Sequence, residues 1–174
     1  MIICAGKSEQ FDFAVPVGIG MLDVAMNLTK LCMAESPKYL LFIGTAGSYG
    51  GKKIFDIIES KAATNIENSF LIGGSYTPID NLVSATDDVS RETLVNSSNY
   101  ITKNMDIGKR YLEKDIHLEN MEYFSVLKVA KSFGIPAGGV FCVTNYCDEN
   151  AHDDFLKNQK EAMEKLVAHI NIKK

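Results

Sequence analysis

The residues of this chain that could do chemistry cluster around short glycine-rich stretches and predicted strand ends. The run Gly44-Thr45-Ala46-Gly47-Ser48-Tyr49-Gly50-Gly51-Lys52-Lys53 has the glycines and lysines of a phosphate cradle. A Walker loop needs a glycine, four residues, then Gly-Lys-Ser/Thr. Counting back from Gly51-Lys52 puts Ala46 at the first glycine and Lys53 at the hydroxyl residue, so the motif fails twice. Gly18-Ile19-Gly20 opens like a dinucleotide fingerprint, but Asp23 stands where the third glycine belongs. Gly47-Ser48-Tyr49-Gly50 lacks the Gly-x-Ser-x-Gly spacing of a nucleophile elbow, which leaves a serine nucleophile unsupported. Cys4, Cys32, Cys142 and Cys147 form no Cys-x-x-Cys pair, and Cys4 and Cys142 sit in apolar segments, as core thiols of a reducing compartment do. His117, His152 and His169 do not pair at ligand spacing, so no metal site is expected.

The elements that must position the remaining polar groups follow from apolar periodicity. Residues 1–5 and 12–16 read as short strands. Gly18 and Gly20 then open a helix whose Met21, Ala25, Leu28 and Leu31 recur at helical spacing, and Pro37 blocks its continuation. Residues 39–43 are a continuous apolar run, the pattern of a strand covered on both faces, and 44–51 read as a glycine-rich turn after it. Residues 53–86 are less periodic and are expected to hold short strands and loops. A brief strand is expected at 93–96 and helices at 104–113 and 119–133. The second helix carries Val126, Val129, Ala130 and Phe133 on one face, with Gly134 and Pro136 at its end. A buried strand at 138–144 precedes a final helix over 150–171, with Phe155, Gln159, Met163, Leu166 and Ile170 on one side. Strands alternating with helices predict a three-layer α/β domain: one mainly parallel, twisted sheet with helices on both faces, formed by 1–174 as a single unit.

Composition narrows the partners. The chain has 174 residues, 46% hydrophobic and 23% charged, which is enough to bury a core without disulfides. The net charge of −4 and the absence of a Lys/Arg cluster argue against a nucleic-acid polymer or an anionic membrane as partner. The N-terminus has no basic stretch before its short apolar run, and no apolar run approaches the roughly 20 residues needed to span a bilayer. A cytoplasmic location is expected.

Three segments together resemble the nucleoside phosphorylase and nucleosidase superfamily. Leu41-Phe42-Ile43-Gly44-Thr45-Ala46-Gly47 is similar to its strand ending in Gly-Ser/Thr-Ala-Gly. Leu118-Glu119-Asn120-Met121-Glu122 resembles its Met-Glu helix start. Val140-Phe141-Cys142-Val143-Thr144-Asn145 resembles the strand whose end contacts the base. Their order, with Val17-Gly18-Ile19-Gly20 before the first helix, adds to the likeness; residues 53–90 and those before Val17 match poorly. The resemblance implies cleavage of the N-glycosidic bond of a purine nucleoside by water or by inorganic phosphate as co-substrate, with no other cofactor, and a homo-oligomer, most simply a dimer. It implies that Glu122 grips the ribose hydroxyls and stabilises the cation-like sugar. Met121 walls the sugar, and Thr45 with the amides of 45–47 binds the nucleophile beside Gly44, Ala46 and Gly47. Glu9 aligns with the glutamate that activates water, and Thr144 and Asn145 meet the base. Tyr100 and Ile101 are the candidates for stacking on it.

The chain departs from the family in places. Hexameric phosphorylases carry an arginine just before the glycine segment, where Phe42 stands here, and only Arg91 and Arg110 occur in the chain. Arginine is the natural phosphate clamp, so water is favoured, with Lys7 as a partial substitute. Nucleosidases usually carry an aspartate at the position of Asn145, whereas trimeric phosphorylases of 6-oxopurines carry Thr-Asn. An amide donates a hydrogen bond but delivers no proton. Asp148 is an alternative acid. Two further readings stand beside the enzyme: a nucleoside-binding protein without catalysis, and a structural α/β subunit of an oligomer.

Overall fold

Short apolar runs build the centre of the molecule, described here for residues 1–86 and 92–172 from a computed structural model. Arg91 lies outside the described residues. The elements are β1 (Ile2–Cys4), β2 (Val15–Pro16), α1 (Met21–Glu35), β3 (Leu40–Ser48), β4 (Ile57–Ser60), β5 (Ala62–Thr64), α2 (Asn68–Leu71), β6 (Leu82–Ser84), β7 (Leu94–Ser97), α3 (Met105–Leu112), β8 (Ile116–Asn120), α4 (Tyr123–Ser132), β9 (Ala137–Tyr146) and α5 (Ala151–Ile172). The strands form one sheet in the order β2-β1-β3-β8-β7-β5-β6, with β9 on the other side of β3 and β4 beyond it. The pairings of β1 with β2 and β3, β3 with β9, and β7 with β5 and β8 are parallel; those of β3 with β8, β4 with β9 and β5 with β6 are antiparallel.

Period-two alternation sorts the strand side chains between two helical layers. Ile3, Phe42, Phe141 and Val143 pack with Val24 and Leu28 of α1 and Val126, Leu127 and Ala130 of α4. Their neighbours Cys4, Ile43, Val140 and Cys142 pack on the opposite face with Ala162, Leu166 and Ile170 of α5. All but the last residue of β9 are buried, which is why its sequence is nearly unbroken in apolar and small residues. A third cluster closes the far end, where the Tyr49 and Tyr111 rings stack with centroids 4.2 Å apart. All four cysteines are free and buried. No helix among the described residues is long and apolar enough to cross a membrane.

The expected three-layer α/β architecture is present, with corrections at the element level. Residues 44–47 are not a turn. They belong to β3, which β9 pairs from Leu40 through Ser48, and the ladder keeps the glycines extended. The turn begins at Gly50, whose φ of 116° suits glycine. The helix expected from 119 starts at Tyr123, because residues up to Asn120 pair with β7 as strand. The strand expected at 12–16 shrinks to Val15–Pro16. On α1 the buried residues are Val24, Leu28 and Cys32, with Ala25 and Leu31 at the margin of the core.

Candidate active site

The cleft opens where β3 changes neighbours. On one side β9 follows β3 along its whole length, with a register shift at Ala46/Gly47. On the other side β1 pairs Leu41 and Phe42, while β8 pairs only Gly47 and Ser48. Between these two contacts the edge of β3 at residues 43–46 has no strand beside it, and backbone donors there need other partners. Such a break near the carboxyl ends of parallel strands is where open α/β sheets bind ligands. A cavity of about 280 Å³ occupies it.

Glu9 fills one part of this gap. After β1 the chain turns through Gly6 (φ 94°) and Lys7 (φ 54°), and Gly6 and Glu9 exchange backbone hydrogen bonds of 3.3 and 3.1 Å. Gln159 of α5 donates to the Ser8 carbonyl at 2.9 Å and holds this loop on the helix. The Glu9 carboxylate then accepts from the Thr45 backbone N–H at 3.0 Å and from the Thr45 hydroxyl. Burial pushes the Glu9 carboxyl up from the ordinary range, and the two Thr45 donors pull it back. The approach explains Gly44: a Cβ there would lie 2.9 Å from Glu9 Oε2.

Glu122 is reached from α1 and β8. It follows the end of β8, and its Oε1 accepts from the Gly20 backbone N–H at 3.0 Å, at the positive N-terminus of α1. Oε2 accepts from Met121 N–H at 3.1 Å and Asn120 Nδ2 at 3.3 Å. The residue is 7% exposed, so it is not a solvated helix-start carboxylate. Burial, reinforced by repulsion from Glu9 and opposed by the two backbone donors, pushes its pKa up to about 7.

Asn145 enters from the end of β9. Its Oδ1 accepts from the Thr144 hydroxyl at 2.9 Å and its Nδ2 donates to the Tyr146 carbonyl at 2.9 Å. Asn158 of α5 donates to the Thr144 carbonyl at 2.8 Å, so one helix anchors both the Glu9 loop and this strand end. A Cβ at Gly47 would meet Asn145 Nδ2 and Cys147 Sγ at 3.0 Å each, so these side chains would have to give way to any other residue there.

Of the residues singled out from sequence, Glu9, Thr45, Ala46, Gly47, Met121, Glu122, Thr144 and Asn145 line this one cleft. Gly44 does not line it but stands behind Glu9. Tyr100 does not line it either and is 76% exposed; its neighbour Ile101 does line it. Lys7 and Asp148 lie outside the lining; Asp148 instead accepts from Asn150 N–H at 2.8 Å before α5. Sequence reading missed Ile19, Glu119, His152 and Phe155. His152 and Phe155 share a face of the first turn of α5 at i, i+3, a signal that was available. Glu119 was hidden by reading 119–122 as helix. Among the described residues no Lys or Arg lines the cleft, and no group of His, Cys, Asp and Glu could hold a metal ion.

The arrangement can hold a polar ligand: the carboxylates of Glu9, Glu119 and Glu122, the amides of Asn120 and Asn145, and the apolar side chains of Ile19, Met121 and Phe155 line one cleft. The fold is shared with solved enzymes. A mutant of the Helicobacter pylori nucleosidase MTAN, with 5'-methylthioadenosine in its active site, matches at TM-score 0.81 and 15% identity over 98% of this chain and 95% of that one. The futalosine hydrolase of Helicobacter pylori matches at TM-score 0.81 and 15% identity over 98% and 94%. A Streptococcus pneumoniae 5'-methylthioadenosine/S-adenosylhomocysteine nucleosidase with a transition-state inhibitor matches at TM-score 0.76 and 14% identity over 96% and 94%. No protein of curated function matches the chain in sequence. The family model described as the phosphorylase superfamily matches residues 81–171, more than half of the chain, which thus belongs to the phosphorylase superfamily.

Proposed function

We propose that this chain hydrolyses the N-glycosidic bond of a purine nucleoside, with water rather than inorganic phosphate as nucleophile. The observation that carries this reading is the Glu9 carboxylate seated on both Thr45 donors in a cleft that no lysine or arginine among the described residues lines. Those donors are the natural anchor for a phosphate, and the chain's own carboxylate already occupies them. Bringing a second anion to within 4 Å costs about 4 kcal/mol per pair of unit charges near a protein surface, and among the described residues no cation lines the cleft to offset it. A water molecule meets no such barrier and gains a base.

In this reading the electron pair of the C1'–N9 bond leaves with the purine while positive charge builds on the ribose. Glu122, ionised, accepts from the ribose hydroxyls and stabilises that charge. The water oxygen bonds to C1', and its proton passes to Glu9. Asn145 hydrogen-bonds the departing base but supplies no proton, so the base takes one from solvent. The 5'-methylthioadenosine in the active site of one fold relative and the transition-state inhibitor held by another support this class of ligand, not its identity. The amide at 145 also favours a second reading, a nucleoside-binding protein that does not turn over.

The test is a panel of purine nucleosides incubated with the purified chain, with and without phosphate. Free ribose in both conditions is the expected product. Ribose 1-phosphate formed only with phosphate would replace hydrolysis by phosphorolysis. Saturable nucleoside binding without any product would establish the second reading.

A further inference from the structure

Glu122 stands at the N-cap position of α4, yet its side chain makes no capping hydrogen bond to that helix. A carboxylate there ordinarily accepts from the first-turn N–H groups, which have no partner within the helix. Here two other side chains take them. The Tyr123 N–H donates to Asn120 Oδ1 at 3.3 Å, and the Phe124 N–H donates to Ser97 Oγ at 2.9 Å. The Ser97 hydroxyl in turn donates to Asn120 Oδ1 at 2.8 Å. Ser97 and Asn120 pair directly across β7 and β8, so their side chains rise on one face of the sheet and reach the start of α4 together. Both are buried, and Asn120 also lines the cleft.

This surrogate cap fixes how the Asn120 amide lies. A backbone N–H can only donate, so the atom facing Tyr123 must be the amide oxygen. The NH2 end is thereby turned to Glu122, and Nδ2 donates to Oε2 at 3.3 Å. The opposite orientation would set a carbonyl oxygen against the carboxylate and amide hydrogens against two donors. Burial and repulsion from Glu9 both press the Glu122 carboxyl toward its neutral form. A donor held on Oε2 works against both, beside the Met121 N–H on the same oxygen and the Gly20 N–H on the other. Glu119 of β8 and His152 of α5 share the cleft with this carboxyl, and α1 carries Asp23 in its first turn. Tyr123 turns its hydroxyl away, to the Ser60 carbonyl.

Resting on the reading of Glu122 as the group that meets the ribose, we infer that Asn120 is a positioning residue for it. With Ser97 it caps α4 in place of Glu122, and its NH2 group holds the freed carboxylate charged and facing the cleft. Glu122 is thus available to a sugar because its own helix does not need it.

The experiment follows the Glu122 carboxyl carbon by NMR across the neutral range, identified by its loss in Glu122→Gln. It also measures kcat/KM for inosine and adenosine over the same range. Wild type is compared with Asn120→Leu and Asn120→Val, which remove the donor and leave an apolar side chain. The carboxyl midpoint is expected to rise by about half to one pH unit, the scale of one hydrogen bond to a charged group. On the acid limb, kcat/KM should fall by about three- to tenfold, while at about pH 9 it stays within about twofold of wild type. A midpoint that stays or falls in a folded variant would overturn the inference. So would an equal loss of kcat/KM at every pH with the midpoint unmoved, the mark of a residue that only caps α4. If neither variant folds, Ser97→Ala decides: it loosens the amide without removing it, and an unmoved midpoint there overturns the inference as well. A raised midpoint with no nucleoside cleaved would sustain the hold of Asn120 on Glu122 and sink the hydrolase reading, so the two fail separately.

Discussion

Glu122 is a buried carboxyl held by two backbone donors and crowded by Glu9, and its pKa near 7 makes it half-charged at neutrality. The proposed role needs the charged form, so kcat/KM should rise with pH on an acid limb of apparent pKa about 7, a value belonging to the Glu9–Glu122 pair rather than to one residue. The sign for stability is opposite. A carboxyl raised from its unfolded value contributes stability that is full below about 4.5 and is lost as pH climbs through about 7. Glu122→Gln should therefore melt no lower than wild type at neutral pH. It should lose roughly 10- to 150-fold in kcat/KM, the value of about 1.5–3 kcal/mol for hydrogen bonds to a charged group. Steady-state kinetics across pH 5–9 and a thermal melt measure both, and wild-type activity in the variant would return Glu122 to a purely structural role. In the proposed reading, Asn145→Asp places an acid at the base. The ratio of kcat/KM for adenosine-type over inosine substrates should rise by roughly 5- to 150-fold, corresponding to about 1–3 kcal/mol for one polar pairing in a desolvated pocket. An unchanged ratio in an active protein would show that residue 145 does not meet the base.

At the scale of elements, the site exists because β3 is longer than either neighbour on its open edge. β1 leaves after Phe42, β8 arrives at Gly47, and the Glu9 loop supplies the missing acceptor between them. Glycine at 44 is what lets that loop approach. A methyl there would sit 2.9 Å from Glu9 Oε2, the movable end of a side chain, and 3.1 Å from the buried Phe42 ring, rather than against backbone. Gly44→Ala should thus keep the fold and its melting temperature within a few degrees while displacing Glu9 from Thr45. Activity should drop by about 10²-fold or more, the usual scale for losing a positioned general base. A protein that unfolds instead, or one with unaltered turnover, would show that the Glu9–Thr45 contact is not what positions the water. α5 works on the same site from behind, since Gln159 holds the Glu9 loop and Asn158 the end of β9.

At the scale of the molecule, apolar side chains at the cleft and on α1 are left exposed by the described residues. Ile101 lines the cleft and is 53% exposed, beside Tyr100 at 76% and Met105 at 54%. On α1, Leu22, Met26 and Met33 are also exposed, at 69%, 48% and 72%. Isolated exposed apolar residues are ordinary, but larger exposed apolar groups mark interaction surfaces. We propose that a second copy of the chain covers them, and sedimentation at micromolar concentration should give a dimer. A monomer that nonetheless turns over nucleoside would show that one chain completes its own site.

The layers of the fold were legible in sequence because apolar periodicity reports burial directly: the runs at 39–43 and 138–144 and the stripe on the last helix each became an element in the expected place. So was the set of polar residues at strand ends, since Glu9, Thr45, Glu122 and Asn145 meet in one cleft. What local pattern does not contain is which backbone groups find partners across the sheet. Glycines at 44 and 47 argue for a turn, and only pairing with β9 keeps them extended. Residues 119–120 argue for a helix start beside Met121-Glu122, and only pairing with β7 makes them strand. That single change places Glu119 beside Gly47 and Asn145. The sequence by itself determined which groups are available for chemistry and which faces must be buried. The tertiary structure alone decided that β3 would stand without a neighbour between Phe42 and Gly47, because a hydrogen-bond vacancy in a sheet is a property of three strands at once.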